Sequence, residues 1–142
     1  MKLYIDNNLN IDESKKGLVA EFCVFCADML PIEGDFQIYV VSERKPYHID
    51  TTAAYILNEN TCYIYGKNRA LPDVMRSIAH EMTHMMQDQV GLINGPIRDA
   101  GGFHEDQANS RAGELISPDF VLTYISSPSS VTTNVFFFSP GN

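Results

Sequence analysis

At 142 residues the chain is long enough to bury one hydrophobic core and too short for two ordinary domains. Acidic residues outnumber Lys and Arg by 18 to 10, and the resulting net charge of −8 excludes the basic footprint of a direct nucleic-acid binder. No apolar run approaches the length of a membrane span, and the start, MKLYIDNNLN, lacks an apolar signal core. Three cysteines are an odd set for a disulfide framework, so a reducing, cytoplasmic setting with free thiols is expected.

Met1–Ile5 is expected as a short strand, followed by a polar turn over Asp6–Asn10. Asp12 is a suitable N-cap with Glu13 behind it in the first turn. Leu18, Val19, Phe22, Cys23, Phe25, Cys26 and Met29 then follow helical spacing up to Leu30, and Pro31 stops the helix. Its Cys23-Val24-Phe25-Cys26 run has the C-x-x-C spacing of a redox pair or half a zinc site. With Phe, Val and Met around it and no second such pair, core packing is the better reading, for Cys62 as well.

Phe36–Val41 is aromatic and β-branched, a strand. Ser42–Thr52 is polar and reads as a loop carrying His48, a distant candidate metal or oxyanion partner that is more simply a solvent-exposed side chain. Ala53–Leu57 and Thr61–Gly66 flank Asn58-Glu59-Asn60, which predicts a hairpin. One of its strands is a candidate sheet edge that would take an extended peptide as an added strand, although a plain structural hairpin fits the same residues.

Between Leu71 and Gly91 lies LPDVMRSIAHEMTHMMQDQVG. Pro72 fits a first helical position, Asp73 suits the positive end of the helix dipole, and Gly91 is a stop. Val74, Met75, Ile78, Met82, Met85 and Met86 keep the three-to-four spacing of a half-buried helix. On it His80-Glu81-Met82-Thr83-His84 is the pattern H-E-x-x-H. Residues one turn apart share a face, so His80 and His84 can offer ring nitrogens to one metal ion while Glu81, one step round, serves as a general base without ligating. The ion such a motif takes is zinc, one per chain.

A turn-rich stretch, GLINGPIRDAGG, then reverses the chain into a second helical pattern from about Phe103 that ends before Pro118. An antiparallel return brings Glu105 towards the two histidines and completes a His₂Glu set; His104 and Asp106 beside it compete for the same role. Asn109, one turn on, is placed to hydrogen-bond a ligand histidine.

The second helix, Glu105-x-x-Ala108-Asn109-x-x-Ala112-x-Glu114-Leu115-Ile116-x-Pro118, together with Arg76-Ser77-Ile78-Ala79-His80-Glu81, resembles the small gluzincin metallopeptidases, nearest to the phage and bacterial ImmA/IrrE-type group. The resemblance spans Pro72 to Pro118. It departs at Arg111, where the group usually has Phe, and at Thr83, where Gly is common. It implies an α+β fold: an N-terminal helix, a small three- to four-stranded, mostly antiparallel sheet, the H-E-x-x-H helix and a second ligand-bearing helix. It implies His80, His84 and Glu105 as zinc ligands, Glu81 as base, and hydrolysis of peptide bonds in a protein or peptide substrate. For a phage-encoded chain the compartment would be the host cytoplasm or the virion.

An oxyanion donor is also needed; Arg111, His104, Tyr124 and Tyr55 have suitable chemistry, although Arg111 is more simply a surface ion pair. Phe120–Ile125 is a last strand or helix, which closes a domain at residues 1–125. Residues 126–142 form a Ser/Thr-rich tail ending in Val135-Phe136-Phe137-Phe138. That apolar cluster most simply folds back onto the domain and fills a groove; the alternative is that it docks into a protein partner or another copy of the chain. The second possibility keeps a different function open, a non-catalytic zincin-fold binding or virion-assembly protein.

Overall fold

A computed structural model describes residues 1–93, 103–117 and 134–140. In chain order the elements are β1 (Lys2–Asp6), α1 (Glu13–Met29), β2 (Gln37–Val41), a short 3-10 turn (Lys45–Tyr47), β3 (Ala53–Ile56), β4 (Thr61–Tyr65), α2 (Leu71–Gln89), α3 (Phe103–Leu115) and β5 (Asn134–Phe138). The α+β class is as expected. No described helix is long and apolar enough to cross a membrane.

Helix boundaries follow the local signals. Asp12 caps α1 by accepting from the Lys15 amide at 3.0 Å, and Leu30 closes it with a 2.9 Å bond to the Cys26 carbonyl. At the end of α2, Gly91 takes φ 78°. Its amide bonds the Asp88 carbonyl at 3.1 Å and the Leu92 amide bonds the Gln87 carbonyl at 2.9 Å. That is a Schellman closure, which needs a residue at ease in the left-handed region.

The sheet corrects one expectation. Among the described residues it has five strands rather than three or four, in the order β3-β4-β2-β1-β5, and it is mixed, not mostly antiparallel. β1 pairs in parallel with both β2 and β5, β2 pairs in parallel with β4, and only the β3–β4 hairpin is antiparallel. The cause is connectivity. Crossing from β1 to β2 through α1 returns the chain in the same direction, and β3 turns back outside β4, leaving β4 free to pair with β2. The Val135-Phe136-Phe137-Phe138 run folds back onto the domain, the simpler of the two expectations, and is most of β5, in register with Leu3 to Asp6. Phe120–Ile125 and residues 126–133 lie outside the described residues.

Two rows of side chains cross the sheet to the helical layer. Leu3, Ile38 and Cys62 form one, and Ile5, Val40 and Ile64 the other. All six are buried with Phe22, Cys23 and Cys26 of α1 and Ile78, Met82 and Met85 of α2. The C-x-x-C pair is thus core: all three cysteines are free and buried, and burial pushes the Cys23 thiol up to about 12. On the opposite face Tyr4 stacks on Tyr39 at 4.4 Å between ring centroids, with Tyr63 and Phe136 continuing the ladder.

At the ends of β1 and β2 the Asp6 carboxylate is fully buried. It accepts from the Asn8 amide at 2.8 Å, from the Ser42 amide at 2.9 Å and from the Ser42 hydroxyl. A second carboxylate sets the other flank. Asp88 near the end of α2 accepts from the Tyr55 hydroxyl and, at 2.8 Å, from the Asn58 amide. It thereby straps β3 and the hairpin tip against α2.

Candidate metal centre and groove

α2 presents His80, Glu81 and His84 to one side because they are one residue or one turn apart. Contacts between α2 and α3 run in opposite sequence directions: Gln87 meets residues 104 and 107, His84 meets Glu105, and His80 meets Glu105 and Asn109. The helices are therefore antiparallel, and Ala108 and Ala112, both buried, allow α3 to approach closely.

This packing brings Glu105 to both histidines. Its Oε1 lies 2.7 Å from His84 Nε2 and its Oε2 lies 3.2 Å from His80 Nε2. The two imidazole rings stand edge to face, centroids 4.9 Å apart. One donor atom from each of the three residues falls within 4.8 Å of the others, a set able to hold a metal ion. Two imidazole nitrogens and a carboxylate oxygen match the donor chemistry of a catalytic zinc site with an open fourth position. Glu81, also buried, has its Oε2 3.9 Å from His80 Nε2, beside the set but not within it.

Of the competing third donors, His104 bonds the Leu92 carbonyl through Nε2 at 2.7 Å and Asp106 is exposed; neither belongs to the cluster. Asn109 lines the same cavity beside His80, and its side chain helps to raise the His80 pKa. Nothing in the sequence alone marks Gln87 beyond its place on α2. It is fully buried, and its Oε1 lies 2.8 Å from His84 Nδ1. Its three-residue spacing from His84 on the same helix was the available signal.

The cluster opens into a cavity of about 840 Å³ walled by Ala53–Leu57 on one side and by Glu105 and Asn109 on the other. β3 is the last strand on this side of the sheet among the described residues. The Thr52 carbonyl accepts from the Tyr65 amide, so by the alternation of an antiparallel ladder the backbone groups of Ala53 and Tyr55 point to the unpaired edge. His48 is exposed and only lines the cavity; it is not in the donor cluster.

Among the oxyanion candidates, Tyr55 lines the cavity but commits its hydroxyl to Asp88, and burial followed by that bond raises its pKa far above the usual phenol value. Arg111 is off the cavity, paired with Glu114 at 2.6 Å and with the Met29 carbonyl at 3.2 Å, as a surface ion pair predicts. Tyr124 lies outside the described residues. Arg76, Ser77 and Arg69 also line the cavity. Three hydrogen bonds, to the Tyr65 and Asp73 carbonyls and the Ser77 hydroxyl, hold Arg69 in place.

Burial, and next the neighbouring His84, hold the His80 pKa below the ordinary 6.5, against an opposing pull from Glu105. The neutral, metal-ligating form is therefore favoured. The unfolded chain takes up this proton at about 6.5 and the folded chain only at lower pH. Stability of the metal-free protein should thus be unaffected by His80 above that value and fall as pH drops through it. Urea midpoints at pH 7.5 and 5.5 check this. The acid-side decrease should be smaller in His80→Gln, and an equal decrease in both proteins contradicts it.

No protein-family model, curated protein or solved structure matches the chain.

Proposed function

We propose that the chain is a zinc-dependent metallopeptidase of the small gluzincin kind, hydrolysing peptide bonds in a protein or peptide laid along the β3 edge. The observation that carries this is the approach of His80 Nε2 and His84 Nε2 to the two oxygens of one Glu105 carboxylate, at the floor of a cavity walled by an edge strand. Three buried or half-buried side chains turned on one another offer a divalent cation two imidazole nitrogens and a carboxylate oxygen at once. The H-E-x-x-H pattern and the likeness of the second helix to the ImmA/IrrE-type group support the same conclusion.

His80, His84 and Glu105 would hold the ion. When bound, zinc would supply Lewis acidity, lowering the pKa of a water to about 7 and polarising the scissile carbonyl. Glu81 would accept the proton of the attacking water at a carboxylate oxygen and deliver it to the leaving nitrogen. Backbone groups of Ala53 and Tyr55 would align an extended substrate by adding it to the sheet. The walls of the cavity would hold its scissile bond over Glu81, the positioning half of the rate enhancement.

Metal analysis of the purified protein beside its cleavage of an unfolded protein such as casein, before and after treatment with 1,10-phenanthroline, tests the proposal. About one zinc per chain is expected, with cleavage abolished by the chelator and restored by added zinc. Chelator-insensitive cleavage, or a chain that takes up no divalent metal, would overturn it.

A further inference from the structure

We infer that Gln87 is the positioning residue of the metal centre, fixing the His84 tautomer and seating Glu105 through one buried carboxamide; this rests on the metal reading above. Gln87 has no exposed surface, so its amide must satisfy itself within the protein. Its Nε2 donates to the His104 backbone carbonyl at 3.1 Å and to Gln107 Oε1 at 2.8 Å. A backbone carbonyl only accepts. Turning the amide over would set Oε1 against the His104 oxygen, so the orientation is dictated by the main chain of α3.

With that orientation Gln87 Oε1 faces His84 Nδ1 at 2.8 Å, and an amide oxygen only accepts. His84 must then carry a proton on Nδ1. In the neutral ring Nε2 is left as a lone pair aimed at Glu105 Oε1, 2.7 Å away. Two acceptors at that distance repel unless a metal ion, or a second proton on the ring, lies between them. The same amide grips α3 at His104 and Gln107, the residues on either side of Glu105 in the contact. One side chain therefore sets the ligand on α2 and the approach of the ligand on α3. Beside His80, by contrast, stands Asn109, which is exposed.

Two variants separate this role from simple helix packing. Gln87→Met keeps the length and deletes all three bonds. Gln87→Glu keeps an acceptor for His84 Nδ1–H but loses the donors to α3. Zinc affinity is measured by competition with a chromophoric chelator, and the His84 tautomer of the metal-free wild type by imidazole nitrogen NMR at pH 8. The wild type should be protonated at Nδ1. Gln87→Met should bind zinc roughly 10–100-fold more weakly, with Gln87→Glu recovering a measurable part of the loss. Nε2 protonation of the wild type, Gln87→Met binding within about threefold of it, or Gln87→Glu as weak as Gln87→Met would each overturn the inference. A wild type that binds no zinc would overturn the metal reading and this inference together, whereas equal affinities in a zinc-binding series would overturn the inference alone.

Discussion

Replacing Glu81 by Gln should lower peptide hydrolysis by about 10²- to 10⁴-fold while leaving zinc content unchanged, the range expected when a general base is removed. Glu81 is buried on the face of α2 that carries His80 and His84, and it lines the cavity without joining the three-residue donor set. Glutamine has the same shape but no basic oxygen, so binding and catalysis should separate. Turnover of a peptide substrate, with metal content measured on the same samples, is the check. A variant that keeps more than a tenth of the activity would remove Glu81 from the chemistry, and one that also loses its zinc would make it a structural part of the metal centre.

Asp6→Ala should destabilise the protein by about 3 kcal/mol, a large part of the roughly 5–15 kcal/mol that holds a domain together. The mutation removes a carboxyl acceptor from a fully buried position and leaves the Asn8 amide, the Ser42 amide and the Ser42 hydroxyl without their partner. Each stranded donor costs on the order of 1 kcal/mol or more. Asp6→Asn retains one acceptor oxygen and should lose about half as much. Urea unfolding at pH 7 measures both, and a loss below about 1 kcal/mol in Asp6→Ala would contradict the role given to this carboxylate.

What local sequence could foretell, it did. Caps, spacing and stops located α1 and α2 to within a residue or two, because Asp12, Pro72 and Gly91 act on backbone groups within one turn of themselves. Glu105 was singled out by its place in a returning helix, and the structure brings it, rather than His104 or Asp106, to the histidines. Long-range pairing was invisible to the same reasoning. The direction of the strands depends on which of them become neighbours, and no residue within β1, β2 or β4 declares that. That the Phe-rich run folds back was the simpler expectation, but where it lands was not legible, because its partner, Leu3 to Asp6, stands at the other end of the chain. Asp6, Asp88 and Gln87 read as ordinary polar residues, and their importance comes from groups that the fold delivers from elsewhere: Ser42, the hairpin tip and the start of α3.

The convergence of His80, His84 and Glu105 on one ion is most directly tested by zinc-edge X-ray absorption on the zinc-loaded protein, paired with His84→Ala. The expected spectrum has two imidazole nitrogens at about 2.0–2.1 Å and light oxygen donors at about 2.0–2.2 Å, with no sulfur. One imidazole should vanish in the variant along with most of the zinc affinity. A sulfur shell at about 2.3 Å, or a spectrum that His84→Ala leaves unchanged, would place the metal elsewhere and contradict the account.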